Sequence, residues 1–176
     1  SGFTDDGQLF CHTYIGDYPQ FLPGSEIASA TNNSPSWMLL SHAKSAHASS
    51  AETDFPVANA FDEDIQTWWC AKTGNSGEWL KVDLGKTCRI EAIQINFADE
   101  GARVHGKLHG DAYQYYIEAS LDGVGWKRIL DRTDIHRDAP HDYEPLDDSV
   151  LARYVRLVNV HCPANAKFSI SGFRIF

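Results

Sequence analysis

The sequence predicts an all-β domain, an antiparallel sandwich or jelly roll, and two observations carry that prediction. Apolar and polar residues alternate along several short segments, as expected for strands with one buried face. Turns and long loops join these segments, without the helical connectors that parallel sheets need. Only residues 36–48 and 56–61 have the character of short helical turns.

Most strands are predicted from their own alternation, and one from its content of Val and Leu. In the first, Leu80, Val82 and Leu84 share one face, and an Asp122-Gly123 turn later joins two strands as a hairpin. The strand richest in Val and Leu, 154–160, is expected to be buried on both faces. The predicted strands are 79–84, 90–97, 113–121, 126–130, 154–160 and 168–175. The last changes its apolar parity at Ser171-Gly172, which predicts a β-bulge.

Residues 1–36 differ from the rest. A strand is predicted at 9–15, but prolines then interrupt regular structure, and 31–35 is an Asn/Ser/Pro-rich linker. We therefore expect two parts: residues 1–36 as an extension or linker from a preceding domain, and residues 37–176 as the sandwich module. The polar segments 98–112 and 131–148 are expected to be long loops.

Composition narrows the function classes. The net charge is −9, which argues against nucleic acid and anionic membrane surfaces as partners. It suits a neutral ligand or a cation. Hydrophobic residues make up 43% of the chain, enough for a core, but no apolar run is long enough to insert into a membrane.

The four cysteines allow three disulfide pairings, or they are buried free thiols. If a bridge forms, Cys11–Cys88 is favoured, because it would tie the extension to the module.

Catalytic motifs are absent from the sequence, although a carboxylate pair of Asp99 or Glu100 with Asp142 is a glycosidase alternative. The turn at Asp62, Asp64 and Thr67 offers oxygen ligands for a hard cation, or is simply a solvated Asx turn. Outside these sites, the histidines in the Gly-rich loops are expected to be solvated.

Aromatic residues are the remaining candidates. Trp69, Trp79 and Trp126 lie in or beside predicted strands and are expected in the core. Trp68 should face away from Trp69 on an extended chain, where its ring could be exposed to stack on a sugar or covered by the extension.

Five ordered motifs within 39–176 carry a family resemblance. They are Ser49-Ser50, the stretch 59–69 (NAFDEDIQTWW), 79–85 (WLKVDLG), 120–126 (SLDGVGW) and 152–157 (ARYVRL). In these motifs the chain resembles the coagulation factor five/eight type C, or discoidin, domain, whose superfamily includes carbohydrate-binding module family 32. The resemblance implies a galactose-binding-like jelly roll of about eight strands.

A narrower resemblance concerns residues 9–23, 140–143 and 167–174. They are similar to discoidin-like modules at the C-terminus of glycoside hydrolase family 43 proteins of gut Bacteroidetes. This implies an accessory module cut from an exported enzyme, located outside the cell, in the periplasm or on the bacterial surface.

The resemblance also implies a structural Ca²⁺. Its ligands would be the Asn59 carbonyl, Asp62, Asp64, Thr67 and the Ser171 carbonyl. A glutamate commonly completes that site, and Gly172 stands in its place here.

The family's sugar site lies on loops at one end of the sandwich. Galactose-binding members often use an arginine directly after the strand that corresponds to 93–97, whereas this chain has Ala98-Asp99-Glu100 there, with Arg103 further on. The candidate contacts are Asp54, Phe55, Trp68, Lys72, Arg103, His105 and His109, each alternatively a solvated loop residue.

These observations predict a non-catalytic, carbohydrate-binding-like accessory module of an exported glycoside hydrolase. Its partners would be a plant or host glycan and the attached catalytic domain. The alternative is a structural module that packs on its parent enzyme and stabilises it without binding glycan.

Overall fold

A computed structural model describes residues 39–102, 112–136 and 141–176, together with the backbone of three short strands nearer the N-terminus. The chain divides into two compact units, Ser1–Trp37 and Met38–Phe176. Within the described residues, no helix is long and apolar enough to cross a membrane.

The first unit contains a three-stranded antiparallel sheet. Its strands are β1 (Gly2–Phe3), β2 (Leu9–Cys11) and β3 (Gln20–Leu22), in that spatial order. The strand predicted at 9–15 is confirmed over its first three residues, and 12–15 lie outside the described residues.

The second unit is built from antiparallel strands. They are β4 (Ser45–Ala48), β5 (Trp69–Cys70), β6 (Trp79–Phe97), β7 (Gln114–Ser120), β8 (Lys127–Arg132), β9 (His141–His161) and β10 (Ser169–Ile175). The order is β5-β10-β6-β9-β7-β8, with β4 beside β6. Two single 3₁₀ turns, Val57–Ala60 and Pro163–Asn165, are the only helical elements in the described part. The predicted all-β antiparallel fold is confirmed.

Two long strands correct the predicted boundaries. The segments 79–84 and 90–97 are one strand, β6, with its register shifted between Asp83 and Cys88. Strand β9 begins at His141, so 141–148 is not a loop: it pairs with β6 and half-buries every second side chain. The helical turn predicted at 56–61 is present, but that at 36–48 is wrong where described, because 45–48 form β4.

The core lies between the sheet faces and is mostly aromatic and β-branched. Its largest fully buried side chains include Trp69, Tyr115, Phe61, Phe168 and Phe173. The predicted bulge is confirmed, because the pairing of β10 with β6 shifts between Ile170 and Gly172. Complete burial of β9 on both faces is wrong, since Tyr154 and Arg156 are only half-buried.

Two tryptophans assigned to the core lie elsewhere. Trp79 and Trp126 are half-buried, with Lys81 and Arg156 over their rings at 5.6 and 4.3 Å from the centroids. Trp79 has the parity of Lys81, which places it on the outer face of β6. An indole there covers apolar surface and still attracts a cation.

The cysteines described in full are free thiols. Cys70 and Cys162 are buried, and burial raises the pKa of Cys70 to about 11 and that of Cys162 to about 12. Cys88 is a half-buried free thiol at the register shift in β6, so the predicted Cys11–Cys88 bridge is wrong. The side chain of Cys11 lies outside the described residues.

Candidate functional site

One end of the sandwich gathers four segments, 50–55, 68–73, 98–102 and 165–168, which we call the rim. Backbone hydrogen bonds join them: Glu52 N to Cys70 O at 2.9 Å, Cys70 N to Phe55 O at 3.3 Å, and Lys167 N to Glu100 O at 2.9 Å. Segment 98–102 is attached through Ala98 N to Ser169 O at 3.0 Å. The rim is thus held by main-chain contacts and does not depend on a ligand.

Four of the predicted sugar contacts lie on the rim. They are Asp54, Phe55, Trp68 and Lys72. The other three, Arg103, His105 and His109, lie outside the described residues, in the segment that directly follows 98–102.

The aromatic part of the rim is a stacked pair. The rings of Phe55 and Trp68 have centroids 4.9 Å apart and planes 23° apart. Both side chains are half-buried, whereas Trp69 is fully buried and meets Phe168 edge-on at 5.6 Å. Trp68 and Trp69 therefore face opposite ways, as their extended backbone predicts.

The two indole N–H groups also differ. Trp69 Nε1 donates to Ser50 O at 3.1 Å. Trp68 Nε1 is buried and has no acceptor in the described part of the chain. A buried donor without an acceptor is costly, and among the described residues Trp68 is the one whose side chain has a buried polar atom without a hydrogen-bond partner.

The polar part of the rim is ordered by Glu78. Its carboxylate accepts hydrogen bonds from Ser49, from Ser50 Oγ at 2.9 Å and from Thr73 Oγ1 at 2.7 Å. Partial burial raises the pKa of Glu78, but the hydroxyl donors outweigh it and the net pKa is lowered. Glu78 therefore stays ionised and fixes the loop that carries Lys72, whose N–H donates to Ser50 Oγ at 3.0 Å.

An ion pair on the rim was not predicted. Lys167 Nζ lies 2.5 Å from Glu52 Oε1, and both side chains are more than a third exposed. The partners are 115 residues apart in the chain, so only the fold brings them together.

Two of the proposed glycosidase carboxylates, Asp99 and Asp142, accept hydrogen bonds from tyrosines of the core. Tyr113 Oη donates to Asp99 Oδ1 at 2.6 Å, and Tyr115 Oη donates to Asp142 Oδ2 at 2.6 Å. Burial, and then Asp142, raise the pKa of Tyr115 above its ordinary value, so this hydroxyl stays a donor. Each carboxylate satisfies a buried tyrosine.

The acidic turn, residues 62–67, lies apart from these contacts and is closed by its own side chains. Asp62 Oδ1 accepts from Asp64 N at 2.9 Å, and Asp62 Oδ2 from Thr67 Oγ1 at 2.8 Å. Asp64 Oδ1 accepts from Gln66 N at 2.9 Å. Asn59 uses its amide to donate to Trp68 O at 3.2 Å.

These residues do not fit a protein-enclosed Ca²⁺. Hard cations take about six to eight oxygen ligands, but each oxygen of Asp62 already accepts one hydrogen bond, which leaves one lone pair on each, and Gly172 supplies no carboxylate. Within the described ranges, no group of three or more His, Cys, Asp or Glu is arranged to hold a metal. Calcium binding stays a prediction, as do the roles of Asn59, Asp64 and Ser171 in it.

Known proteins resemble this chain in sequence and in structure. Human BTB/POZ domain-containing protein 9 is 30% identical over 95 residues, which cover 53% of this chain and 14% of that protein. The chain thus corresponds to a small part of that relative.

Two solved structures share the fold. Chitosan-binding module 2 of a Paenibacillus sp. IK-5 chitosanase/glucanase, in complex with chitotriose, has a TM-score of 0.66 and 22% identity, covering 78% of this chain and 98% of that module. The family 32 module of Clostridium perfringens NanJ, in complex with galactose, has a TM-score of 0.58 and 24% identity, covering 74% and 91%. These likenesses confirm the jelly-roll sandwich.

The decisive match is to a family profile. The F5/8 type C domain matches residues 45–171, from the first strand of the sandwich to the bulge in its last. That span contains the acidic turn, the rim and most of the core. The chain therefore belongs to the F5/8 type C domain family.

Proposed function

We propose that the module binds a glycan at the rim and has no catalytic activity of its own. The stacked Phe55–Trp68 pair carries this proposal. A flat, half-buried aromatic surface is suited to the C–H face of a sugar ring, and polar groups beside it fix the hydroxyls. Family membership and the sugar-bound fold neighbours support the same conclusion.

The polar contacts would come from both sides of the aromatic pair. Asp54 and Lys72 are exposed on the two segments that carry Phe55 and Trp68. Arg103, His105 and His109 are proposed to add to them from the next segment. The net charge of −9 favours a neutral or amino-bearing glycan over a polyanionic one.

A shallow site of this kind binds weakly and serves to tether. The module would hold an attached, exported glycoside hydrolase close to a plant or host polysaccharide, so that each contact raises the effective concentration of the substrate. The proposal includes a location outside the cell, in the periplasm or on the cell surface. It also includes the assignment of residues 1–36 as an extension from a preceding domain.

The test is a binding screen with matched tryptophan variants. Isothermal titration and affinity gels with chitotriose, galactose, xylan and arabinan should identify a ligand. Trp68→Ala should lower its affinity about fivefold or more, since truncation of an aromatic contact residue typically costs more than about 1 kcal/mol. Trp126→Ala, which removes an indole from the outer sheet face, should leave affinity unchanged. A blank screen, or equal losses in both variants, would contradict the proposal.

The second candidate is a structural module that packs on its parent enzyme. One observation favours it: Leu121, Val124 and Leu151 are 60%, 84% and 60% exposed. Leu121 and Leu151 line a groove of about 290 Å³ together with Ala119, Ile129 and Val150. A contiguous apolar patch on the surface, unlike single exposed apolar side chains, is typical of contact surfaces. Deleting the module should then lower the melting temperature of the parent protein without changing its affinity for polysaccharide.

A further inference from the structure

The acidic turn is connected to the last strand by one arginine. Arg174 on β10 donates from Nε to Glu63 Oε2 at 2.7 Å. The arginine side chain is only 14% exposed and that of Glu63 is 33% exposed. Water therefore screens this pair less than an ordinary surface ion pair.

Glu63 is presented to the arginine by an unusual backbone. Its φ is +64°, in the left-handed region that a glutamate adopts rarely. Asp62 and Asp64 fix the turn on either side, through hydrogen bonds to Asp64 N and Gln66 N. The strain at Glu63 is thus tolerated where it directs a carboxylate at Arg174.

Gly172 provides the space that the guanidinium occupies. A Cβ at this position would lie 3.0 Å from Arg174 Nη1, 3.3 Å from its Cζ and 3.1 Å from the Asn96 amide. Any side chain at 172, including a glutamate, would push against the guanidinium. The glycine and the half-buried arginine therefore belong to one arrangement.

Asn96 holds the other side of the guanidinium. With its amide oriented so that both ends are satisfied, Asn96 Oδ1 accepts from Arg174 Nη1 at 2.6 Å and its nitrogen donates to His141 Nδ1 at 3.2 Å. Asn96 is 9% exposed and lies opposite Gly172 in the pairing of β10 with β6. Arg174 is thus fixed by both the sheet and the turn.

The charges show what this arrangement does. Asp62, Glu63 and Asp64 place three carboxylates on consecutive residues. These like charges repel one another, and a positive charge nearby offsets that repulsion. Arg174 supplies that charge permanently, since a guanidinium is not deprotonated in proteins. A divalent cation placed between the turn and β10 would meet this fixed charge and lose affinity.

We propose that Arg174 performs in this chain the bridging role that a structural cation would have, and that the module folds independently of calcium. The guanidinium joins the acidic turn to β10 as part of the chain, so a chelator cannot remove it. This inference does not depend on glycan binding at the rim.

The first experiment measures thermal unfolding of the metal-stripped protein with added calcium chloride and with added chelator. The expected result is one melting temperature in both conditions, and no heat of binding on titration with calcium. A protein bound to a cation only in its folded state would instead melt higher with calcium. A rise in melting temperature with calcium would overturn the proposal.

The second experiment compares two arginine variants. Arg174→Gln should lower the melting temperature by several degrees. The control, Arg153→Gln, removes an arginine that binds Asp83 through two hydrogen bonds of 2.8 and 2.9 Å and is 41% exposed. Arg153→Gln should lower the melting temperature clearly less than Arg174→Gln does. Equal or negligible losses in both variants would overturn the bridging role.

The Glu63 variants keep the proposal testable if Arg174→Gln does not fold. Glu63→Gln alone should lower the melting temperature, because it removes the charge that Arg174 faces. Combined with Arg174→Gln, it should add little, since the two residues act on one interaction. A Glu63→Gln protein with unchanged stability would overturn the proposal.

Discussion

Carboxylates help to hold both the rim and the acidic turn in place, yet the two regions differ in which polar groups remain without a partner. At the rim, Glu78 binds three hydroxyls and the segments around it leave Asp54 and Lys72 exposed. In the acidic turn, the carboxylates of Asp62, Glu63 and Asp64 all have partners within the protein. A loop suited to binding keeps unsatisfied groups at its surface, whereas one that serves the fold satisfies its own.

The largest difference in the free energy of unfolding is expected between alanine variants of the two neighbouring tryptophans of the rim. Trp69→Ala removes a fully buried ring, which typically costs about 3–5 kcal/mol and should leave the module largely unfolded. Trp68→Ala removes a half-buried ring that forms no hydrogen bond through Nε1 in the described part, so its free energy of unfolding should fall far less. Urea denaturation measures both.

Two results would break this comparison. If Trp68→Ala unfolds the module as well, Trp68 is a core residue and the stacked pair is not a binding surface. If Trp69→Ala lowers the free energy of unfolding only slightly, the inward-facing ring of Trp69 does not contribute to the core as its burial indicates. Trp69→Phe is the matched control, because it keeps an aromatic ring in the core and should retain most of the stability.

Glu78→Gln is expected to have the next largest effect and to depend on pH. The pKa of Glu78 is lowered below its ordinary value of 4.5 in the folded protein. Its ionised form therefore stabilises the fold fully above that value, and the stabilisation is lost as the pH falls through the lowered folded pKa. Near neutral pH, the variant should lose about 1–2 kcal/mol, because charge-assisted hydrogen bonds from three hydroxyls become neutral ones.

The measurement is chemical denaturation of wild type and variant at about pH 7 and about pH 3, where the gap should narrow. Glu91→Gln serves as control, since Glu91 is exposed on β6. A gap that stays constant with pH would show that Glu78 stabilises the rim through shape and not through charge.

The sequence predicts those features that depend on local pattern. The parity change at Ser171-Gly172 predicts the bulge, and the adjacency of Trp68 and Trp69 predicts their opposite faces; both are confirmed. The sequence predicts two strands, 79–84 and 90–97, where the structure has the single strand β6, whose register with β9 shifts between Asp83 and Cys88 on either side of Gly85, with φ at +84°. Pairing with β9 continues on both sides of this shift.

Contacts between distant residues could not be predicted in the same way. Arg174 and Glu63 are 111 residues apart, and no local pattern links them. In the sequence, Gly172 stands where a glutamate commonly completes the family's cation site. In the structure, a Cβ at position 172 would lie 3.0 Å from Arg174 Nη1, so the glycine leaves room for the guanidinium. The polar stretch 141–148 is predicted as a loop because its half-buried positions, which include Asp142 and Glu144, do not alternate apolar with polar residues.

The smallest effect on stability is expected from Lys72→Ala. The side chain is exposed and its main-chain N–H keeps the bond to Ser50 Oγ, so stability should change by no more than about 0.5 kcal/mol. If the rim binds glycan, affinity should still fall severalfold, because a charged hydrogen-bond donor beside the aromatic pair is lost. Lys86→Ala is the matched control. Lys86 is an exposed lysine at the register shift in β6, and its removal should change neither the stability nor the glycan affinity. Equal glycan affinity in the two variants would place the sugar on another part of the rim and leave Lys72 a solvated loop residue.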